Sequence, residues 1–200
     1  MKKILTIVMI LAVALGASAK FRLGPTVGTN WSMYHFNQHL VPTDMRAGFQ
    51  GGLLCEVMIP GIGFGVDFGV KYTNWGGHTD FGKFKVWEGM GNPDLRMHTI
   101  SIPVNLRFKY TRLNGFEQYL APLIYAGPQL NFNAANKHCA AIDRNGVSLG
   151  IQLGLGAEIY RRYQITAGYI WNVTHDFETR KLDDVSARIE GWNLSVAVLF

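Results

Sequence analysis

His98 and Ser101 are the residue types of hydrolytic catalysis, and the acids Glu88 and Asp94 lie nearby in the sequence. A serine activated by a histidine that an acid orients would perform acyl transfer. On an extended strand, however, residues three positions apart point to opposite faces. The spacing therefore disfavours a Ser–His pair, and we expect a protein that is not an enzyme, without catalytic residues or a cofactor.

No histidine or acid shows the spacing of a metal site. The remaining histidines are scattered over predicted loops, at His35, His39, His78, His138 and His175. One segment is rich in oxygen ligands of the kind that bind Ca²⁺, at Asp176, Glu178, Asp183 and Asp184. The same segment carries Arg180, Lys181 and Arg188, which favours a solvated, self-paired loop. We predict no metal site.

The two cysteines, Cys55 and Cys139, are expected to remain unpaired. Cys55 falls on the apolar face of a predicted strand, whereas Cys139 falls in a predicted loop. A disulfide needs two Cα atoms about 4.4–6.8 Å apart. Free thiols are therefore preferred over a disulfide, which is the alternative for an exported chain.

The elements that must position all these residues are strands. Charged residues make up 16% of the 200 residues and there are 23 glycines, while the mean hydropathy is only +0.07. These values exclude a disordered chain, a coiled coil and a helical membrane bundle. Apolar residues instead alternate with small or polar ones, which predicts eight strands: Lys20–Trp31, Arg46–Ile59, Ile62–Trp75, Met97–Tyr110, Gln118–Phe132, Gly146–Tyr160, Tyr163–Val173 and Ile189–Phe200.

The connections between these strands are of two kinds. Three are short, at Pro60-Gly61, Thr111–Glu117 and Arg161-Arg162, and four are long, at Ser32–Met45, Gly76–Arg96, Asn133–Asn145 and Thr174–Arg188. Short periplasmic turns and long outer loops are typical of outer-membrane barrels. We therefore predict an all-β fold, an eight-stranded antiparallel up-and-down transmembrane β-barrel. The alternative with the same strands is a soluble periplasmic barrel.

The polar face of the strands is rich in glycine and carries charges of both signs. Small residues suit a narrow interior in which long side chains must fit. We predict that seven charges line that interior: Arg22, Glu56, Asp67, Lys71, Arg107, Lys109 and Glu158. Prolines inside the strands, at Pro25, Pro103, Pro122 and Pro128, predict bulges or kinks and make the register of strands four and five the hardest to assign.

Aromatic residues favour the membrane barrel over the soluble one. Trp31, Trp75, Trp171 and Trp192 map to the outer end of the predicted strands, and Tyr110, Tyr160, Tyr163 and Phe200 map to the opposite end. Aromatic girdles at both membrane interfaces are expected of a transmembrane barrel. We predict that these eight residues form the girdles.

The first 19 residues have the features of a secretory signal peptide. Lys2 and Lys3 precede an apolar run that ends at the small residues Ala17-Ser18-Ala19. We therefore divide the chain into a signal peptide (1–19) and an outer-membrane barrel domain (20–200). Loss of Lys2 and Lys3 removes two of the five net positive charges, which leaves no argument for nucleic acid.

Several stretches together resemble the PorT-like outer-membrane β-barrel family of Bacteroidota: Ile100 to Leu106, Tyr125 to Pro128 and Leu153 to Glu158. The resemblance implies an eight-stranded barrel that the outer-membrane assembly machinery inserts, with Phe200 and its alternating neighbours as the insertion signal. It implies no single activity.

Three functions are compatible with this fold. We expect a barrel with a side-chain-filled interior that acts structurally or through its long outer loops, or as a component of an envelope or secretion complex. The alternative is a narrow pore, and a lipid-modifying enzyme is a third. The expected surroundings are outer-membrane lipid and lipopolysaccharide, with an unidentified protein partner.

Overall fold

The computed structural model describes residues 20–36, 43–59, 61–79, 94–111, 115–136, 142–144, 146–174, 177–179 and 186–200. The predicted signal peptide, Cys139 and the acids Asp176, Asp183 and Asp184 lie outside these ranges, and the side chain of Glu178 is not described. Within them, no helix has the length and apolar character needed to cross a membrane.

Eight long antiparallel strands close into a barrel, which confirms the predicted fold. The described residues form ten strands: β1 (Lys20–Phe36), β2 (Thr43–Met58), β3 (Phe64–Thr79), β4 (Asp94–Lys109), β5 (Leu120–Asn136), β6 (Ile142–Arg144), β7 (Val147–Ile159), β8 (Tyr163–Asn172), β9 (Phe177–Thr179) and β10 (Ser186–Val198). The barrel order is β1-β2-β3-β4-β5-β7-β8-β10, and β10 pairs with β1 to close it. β6 and β9 are short additions at the end with the long connections.

The two-residue period of each strand decides which side chains enter the barrel. Along β7, Gln152 is buried at 1% exposure, whereas its neighbours Ile151 and Leu153 are 49% and 53% exposed. The outward face is apolar, as a lipid-facing surface requires. The interior is polar, and its members come from every long strand.

Some strands begin or end at other residues than the alternating pattern predicts. β3 begins at Phe64 rather than Ile62, because Gly61 and Gly63 adopt positive φ angles of 86° and 77° in the preceding turn. Gln118 belongs to a 3-10 helix, Phe116–Gln118, so β5 begins at Leu120. At the other end, β1 continues past Trp31 to Phe36.

The strand prolines leave the register of β4 and β5 intact. Ile102 pairs with Leu130, and Leu106 pairs with Ala126, so the pairing is the same on both sides of Pro103. The irregularity in this pair lies instead between His98 and Thr99. Pro103 faces the interior, and the other three strand prolines face outward: Pro25, Pro122 and Pro128.

Candidate functional site

Six charged residues form a cluster inside the barrel near its short-turn end. We call this the interior charge cluster, and it balances three cations against three anions: Arg22, Arg107, Lys109, Glu56, Asp67 and Glu158. Apart from Arg22, whose side chain is 20% exposed, the members are at most 5% exposed. Burying unpaired charge costs several kcal/mol per ion, so the balance of signs is what makes the cluster tolerable.

Glu56 is the centre of this cluster. Its side chain is fully buried, and it accepts hydrogen bonds from Arg107 Nη1 at 2.6 Å and from Lys109 Nζ at 3.1 and 3.2 Å. Arg22 donates to it from Nε at 3.0 Å and also from Nη2. Gln164 Nε2 adds a neutral donor at 2.6 Å. One carboxylate therefore collects the donors of four side chains.

These bonds cross the interior rather than follow its wall. Glu56 on β2 and Gln164 on β8 are three strands apart around the barrel, as are Arg22 on β1 and Glu158 on β7, whose ion pair measures 2.6 Å. Lys109 on β4 also reaches Glu158 at 2.6 Å. Strands three positions apart in an eight-stranded ring meet only through its centre. The cluster thus occupies the cross-section of the barrel.

Asp67 and Lys71 extend the charged region along β3. Asp67 Oδ2 lies 2.5 Å from Arg107 Nη2. Lys71 faces the interior four residues further along the strand and interacts electrostatically with Asp67. All seven charges predicted for the interior therefore lie there.

Hydrogen-bonded amides and hydroxyls fill the middle of the barrel. Ser101 Oγ donates to Asn131 Oδ1 at 2.8 Å, Gln152 Nε2 to Asn105 Oδ1 at 2.7 Å, and Gln50 Nε2 to the hydroxyl of Ser195 at 2.8 Å. Neither these residues nor Gln164 is among the interior residues predicted above, because that prediction rested on charged side chains alone. The alternation along each strand would have placed them inside the barrel, because each lies in the inward phase of its strand.

Tyr125 fills the space that two glycines leave. The end of its side chain lies where the Cβ atom of any other residue would stand: the ring carbon Cζ and the hydroxyl at Gly154, and the hydroxyl at Gly168. These two glycines face each other on β7 and β8. Glycine is required here because of this close approach. A large aromatic ring thereby enters a narrow barrel.

Trp75 does not belong to the outer aromatic girdle, which corrects the prediction. It is only 3% exposed and faces the interior, in the same phase of β3 as Asp67 and Lys71. It pairs with Met97, which is 1% exposed. Ile170 and Ile189 are also buried and inward-facing near this outer end. Large apolar side chains therefore also enter the interior near its outer end.

The other residues predicted for the girdles face outward. Trp31, Trp171 and Trp192 lie on neighbouring strands near the outer end. Four further aromatic residues are exposed near the short-turn end: Tyr110, Tyr160, Tyr163 and Phe200. The backbone N–H of Phe200 donates to the carbonyl of Leu23 at 3.0 Å, so the last residue takes part in closing the barrel.

His98 and Ser101 lie on opposite faces of β4, as their spacing predicts. Ser101 is buried in the interior, whereas His98 Nδ1 lies 2.5 Å from the hydroxyl of outward-facing Tyr72. Within the described part of the chain, no three His, Cys, Asp or Glu residues converge on a possible metal position. Cys55 is a free, half-buried cysteine on the outward face of β2.

A hollow of about 440 Å³ opens at the short-turn end, below the interior charge cluster. Arg22, Lys109 and Glu158 line its inner part, and Lys20 and Arg161 are among the residues at its exposed rim. Arg22 and Lys109 are already hydrogen-bonded to the carboxylates of the cluster. The charged side chains at the inner end of the hollow are therefore already paired with one another.

Comparison with known proteins agrees with this architecture. The family model described as "Outer membrane protein beta-barrel domain" matches residues 4–200. Among solved structures, the fold is similar to OprG from Pseudomonas aeruginosa (10% identity, TM-score 0.53, covering 92% of this chain and 96% of that one). It is also similar to Neisserial surface protein A, from Neisseria (15% identity, TM-score 0.50, covering 91% and 99%). No curated protein sequence matches this chain. At identities this low, the similarity to these two structures concerns the fold alone.

Proposed function

The chain belongs to the outer membrane protein beta-barrel domain family, and on that premise we propose that it is a non-conducting, non-enzymatic barrel that acts through what it presents at the outer surface. Its place is the outer membrane, and its fold is the closed eight-stranded barrel of that family. An eight-stranded barrel is just wide enough for its own side chains to fill.

The interior charge cluster is the observation that supports this proposal. Its hydrogen bonds join β2 to β8 and β1 to β7 through the centre of the barrel. A hydrated ion would have to break several of these charge-assisted bonds, which are about twice as strong as neutral ones. The apolar side chains of Trp75 and Met97 lie further out on the same path.

The strands at the outer end support a role in surface contact. β9 pairs with the outer end of β10, and β6 pairs with β9, so the sheet continues beyond the closed ring of strands. Within the part of the chain that the structure describes, β6 is the last strand of that extension. A terminal strand offers backbone donors and acceptors to a partner chain.

The narrower assignment to the PorT-like barrels of Bacteroidota is part of the proposal. It is supported by the Ile102-Pro103 step, whose proline faces the interior of β4, and by Gly127-Pro128 in β5. The partners proposed with it are the assembly machinery during insertion, outer-membrane lipid and lipopolysaccharide, and a protein of an envelope or secretion complex.

Single-channel recording in planar bilayers tests the closed interior. The purified barrel is expected to give no stable conductance steps. The variant Glu56→Ala/Glu158→Ala, which removes the two acceptors that join the cations, is expected to give openings. Stable steps from the unmodified barrel overturn the proposal and favour the narrow pore.

Lipid profiling tests the non-enzymatic part. Mass spectra of outer-membrane lipids are expected to be the same with and without the protein. A change in lipid acylation that depends on the protein and disappears in His98→Ala overturns this part and favours a lipid-modifying enzyme.

A further inference from the structure

Glu190 is an exception on the lipid-facing surface. Among the outward-facing strand residues whose side chains the structure describes, it is the only carboxylate, and its outward neighbours are mostly apolar or aromatic. A charged side chain facing lipid is unfavourable, though less so near the headgroups. The hydrogen bond of Glu190 comes from the neutral hydroxyl of Tyr169, and Arg188 lies two residues away on the same face of β10. The membrane-facing side of the carboxylate can therefore take a cation from the membrane.

Aromatic rings surround this carboxylate. Trp171 lies directly opposite Glu190 on β8, and Tyr169 lies opposite Trp192, so the four side chains form a two-by-two block. The ring of Tyr169 is 4.6 Å from that of Trp171 and 5.0 Å from that of Trp192, at angles of 59° and 74°. Trp171 and Trp192 remain 41% and 52% exposed.

The carboxylate is held in place within this block. The hydroxyl of Tyr169 donates to Glu190 Oε2 at 3.0 Å. On the other side, Trp31 and Met33 of β1 pair with Trp192 and Glu190. Three exposed tryptophans thus lie on three neighbouring strands around one fixed negative charge, at the level of the lipid headgroups.

We infer that this block, formed by Tyr169, Trp171, Glu190 and Trp192, binds the ammonium group of an amine-bearing lipid in the outer leaflet. The faces of tryptophan and tyrosine attract cations within about 6 Å. The carboxylate neutralises the cation, and the cation compensates the carboxylate. A neutral sugar would stack on the rings but would bring no cation to the carboxylate of Glu190.

Native mass spectrometry of the full barrel tests this site with defined lipids. The barrel is released from membranes with equal amounts of phosphatidylethanolamine, which carries an ammonium group, and phosphatidylglycerol, which does not. We expect about tenfold preferential retention of phosphatidylethanolamine, which corresponds to about 1.4 kcal/mol. Glu190→Gln is expected to abolish the preference, and Tyr169→Phe to reduce it in part.

Glu117→Gln is the matched control, because it removes the same charge at the opposite end of the barrel and is expected to keep the preference. An unheated SDS gel verifies that each variant is folded. Equal retention of both lipids by the unmodified barrel, or an unchanged preference in Glu190→Gln, overturns the inference.

Two further arms exclude other ligands. Soluble glycerophosphoethanolamine is expected not to displace the lipid, and displacement would overturn the assignment to a membrane lipid. A chelator of divalent cations is expected to leave the preference unchanged. Its loss on chelation would show that a metal ion, rather than an ammonium group, meets Glu190.

Discussion

Glu56 on β2 accepts a hydrogen bond from Arg107 on β4 at 2.6 Å, although β3 lies between the two strands. Both side chains must therefore leave the wall and meet inside the barrel. Arg107 also donates to Gln164 on β8 at 2.6 Å, which extends the connection to the opposite side. The charged part of the interior is therefore one hydrogen-bonded network that crosses the barrel, rather than a set of separate wall contacts.

Replacement of Glu56 by Gln is expected to lower the free energy of unfolding by about 3–5 kcal/mol, because the substitution leaves buried cations without their common acceptor. Urea unfolding in lipid vesicles, followed by tryptophan fluorescence, measures the change. The double variant Glu56→Met/Lys109→Met is expected to lose less stability than the sum of the losses of its two single variants. Glu117→Gln in the short-turn region serves as the control, and its free energy of unfolding is expected to stay within about 0.5 kcal/mol of that of the unmodified barrel. A loss for Glu56→Gln as small as that of the control would contradict the central role of this carboxylate.

Gly154→Ala is expected to destabilise the barrel by about 1–3 kcal/mol, because the new methyl group would overlap the ring of Tyr125. Combining it with Tyr125→Leu is expected to recover part of the loss. Gly51→Ala is the matched control, since the nearest atom to its Cβ would be 3.6 Å away on the outward face. The same unfolding assay compares the variants, and equal effects of the two alanines would argue against the ring–glycine contact.

Trp75 and Trp192 are expected to differ in their contact with lipid. Trp75 is 3% exposed inside the barrel, whereas Trp192 is 52% exposed on its outer surface. In variants that retain one tryptophan each, lipids brominated on their chains near the headgroup should quench the fluorescence of Trp192 and leave that of Trp75 nearly unchanged. Strong quenching of Trp75 would place it in the girdle after all.

Arg161→Gly is expected to stabilise the barrel by about 0.5–1 kcal/mol. Tyr160 and Arg161 occupy a turn with φ angles of 50° and 56°, which glycine adopts without a steric penalty. The contact that Arg161 makes through its carbonyl, which accepts from Arg22 Nη1 at 2.7 Å, is retained by glycine. Gly61→Ala is the reciprocal test, because its φ is 86° and no atom lies within 4 Å of a new Cβ. A loss of about 1 kcal/mol in the free energy of unfolding would therefore come from the backbone conformation alone. If the Arg161→Gly variant is less stable than the unmodified barrel, the side chain of Arg161 stabilises the fold.

Alternation predicted much of the candidate site because it is a local property. The inward phase of Glu56, Asp67 and Arg107 follows from two-residue periodicity in their own strands. The prediction for Trp75 was wrong because it rested on the level of this residue along the strand, whereas its phase, shared with Asp67, decides its face. Gln164 was not predicted, because the prediction of the interior rested on charged residues and Gln164 is neutral, although its position in β8 is equally inward.

The sequence by itself determined the strands, their two faces and the short and long connections, because each depends on neighbouring residues. Only the tertiary structure decided which inward side chains meet. Gln164 and Glu56 are 108 positions apart, and their contact depends on closure of β10 onto β1, which sets the distance across the interior. The Tyr169–Glu190 pair likewise depends on the register between β8 and β10. Pairing register and ring closure are non-local, so no pattern within a single strand contains them.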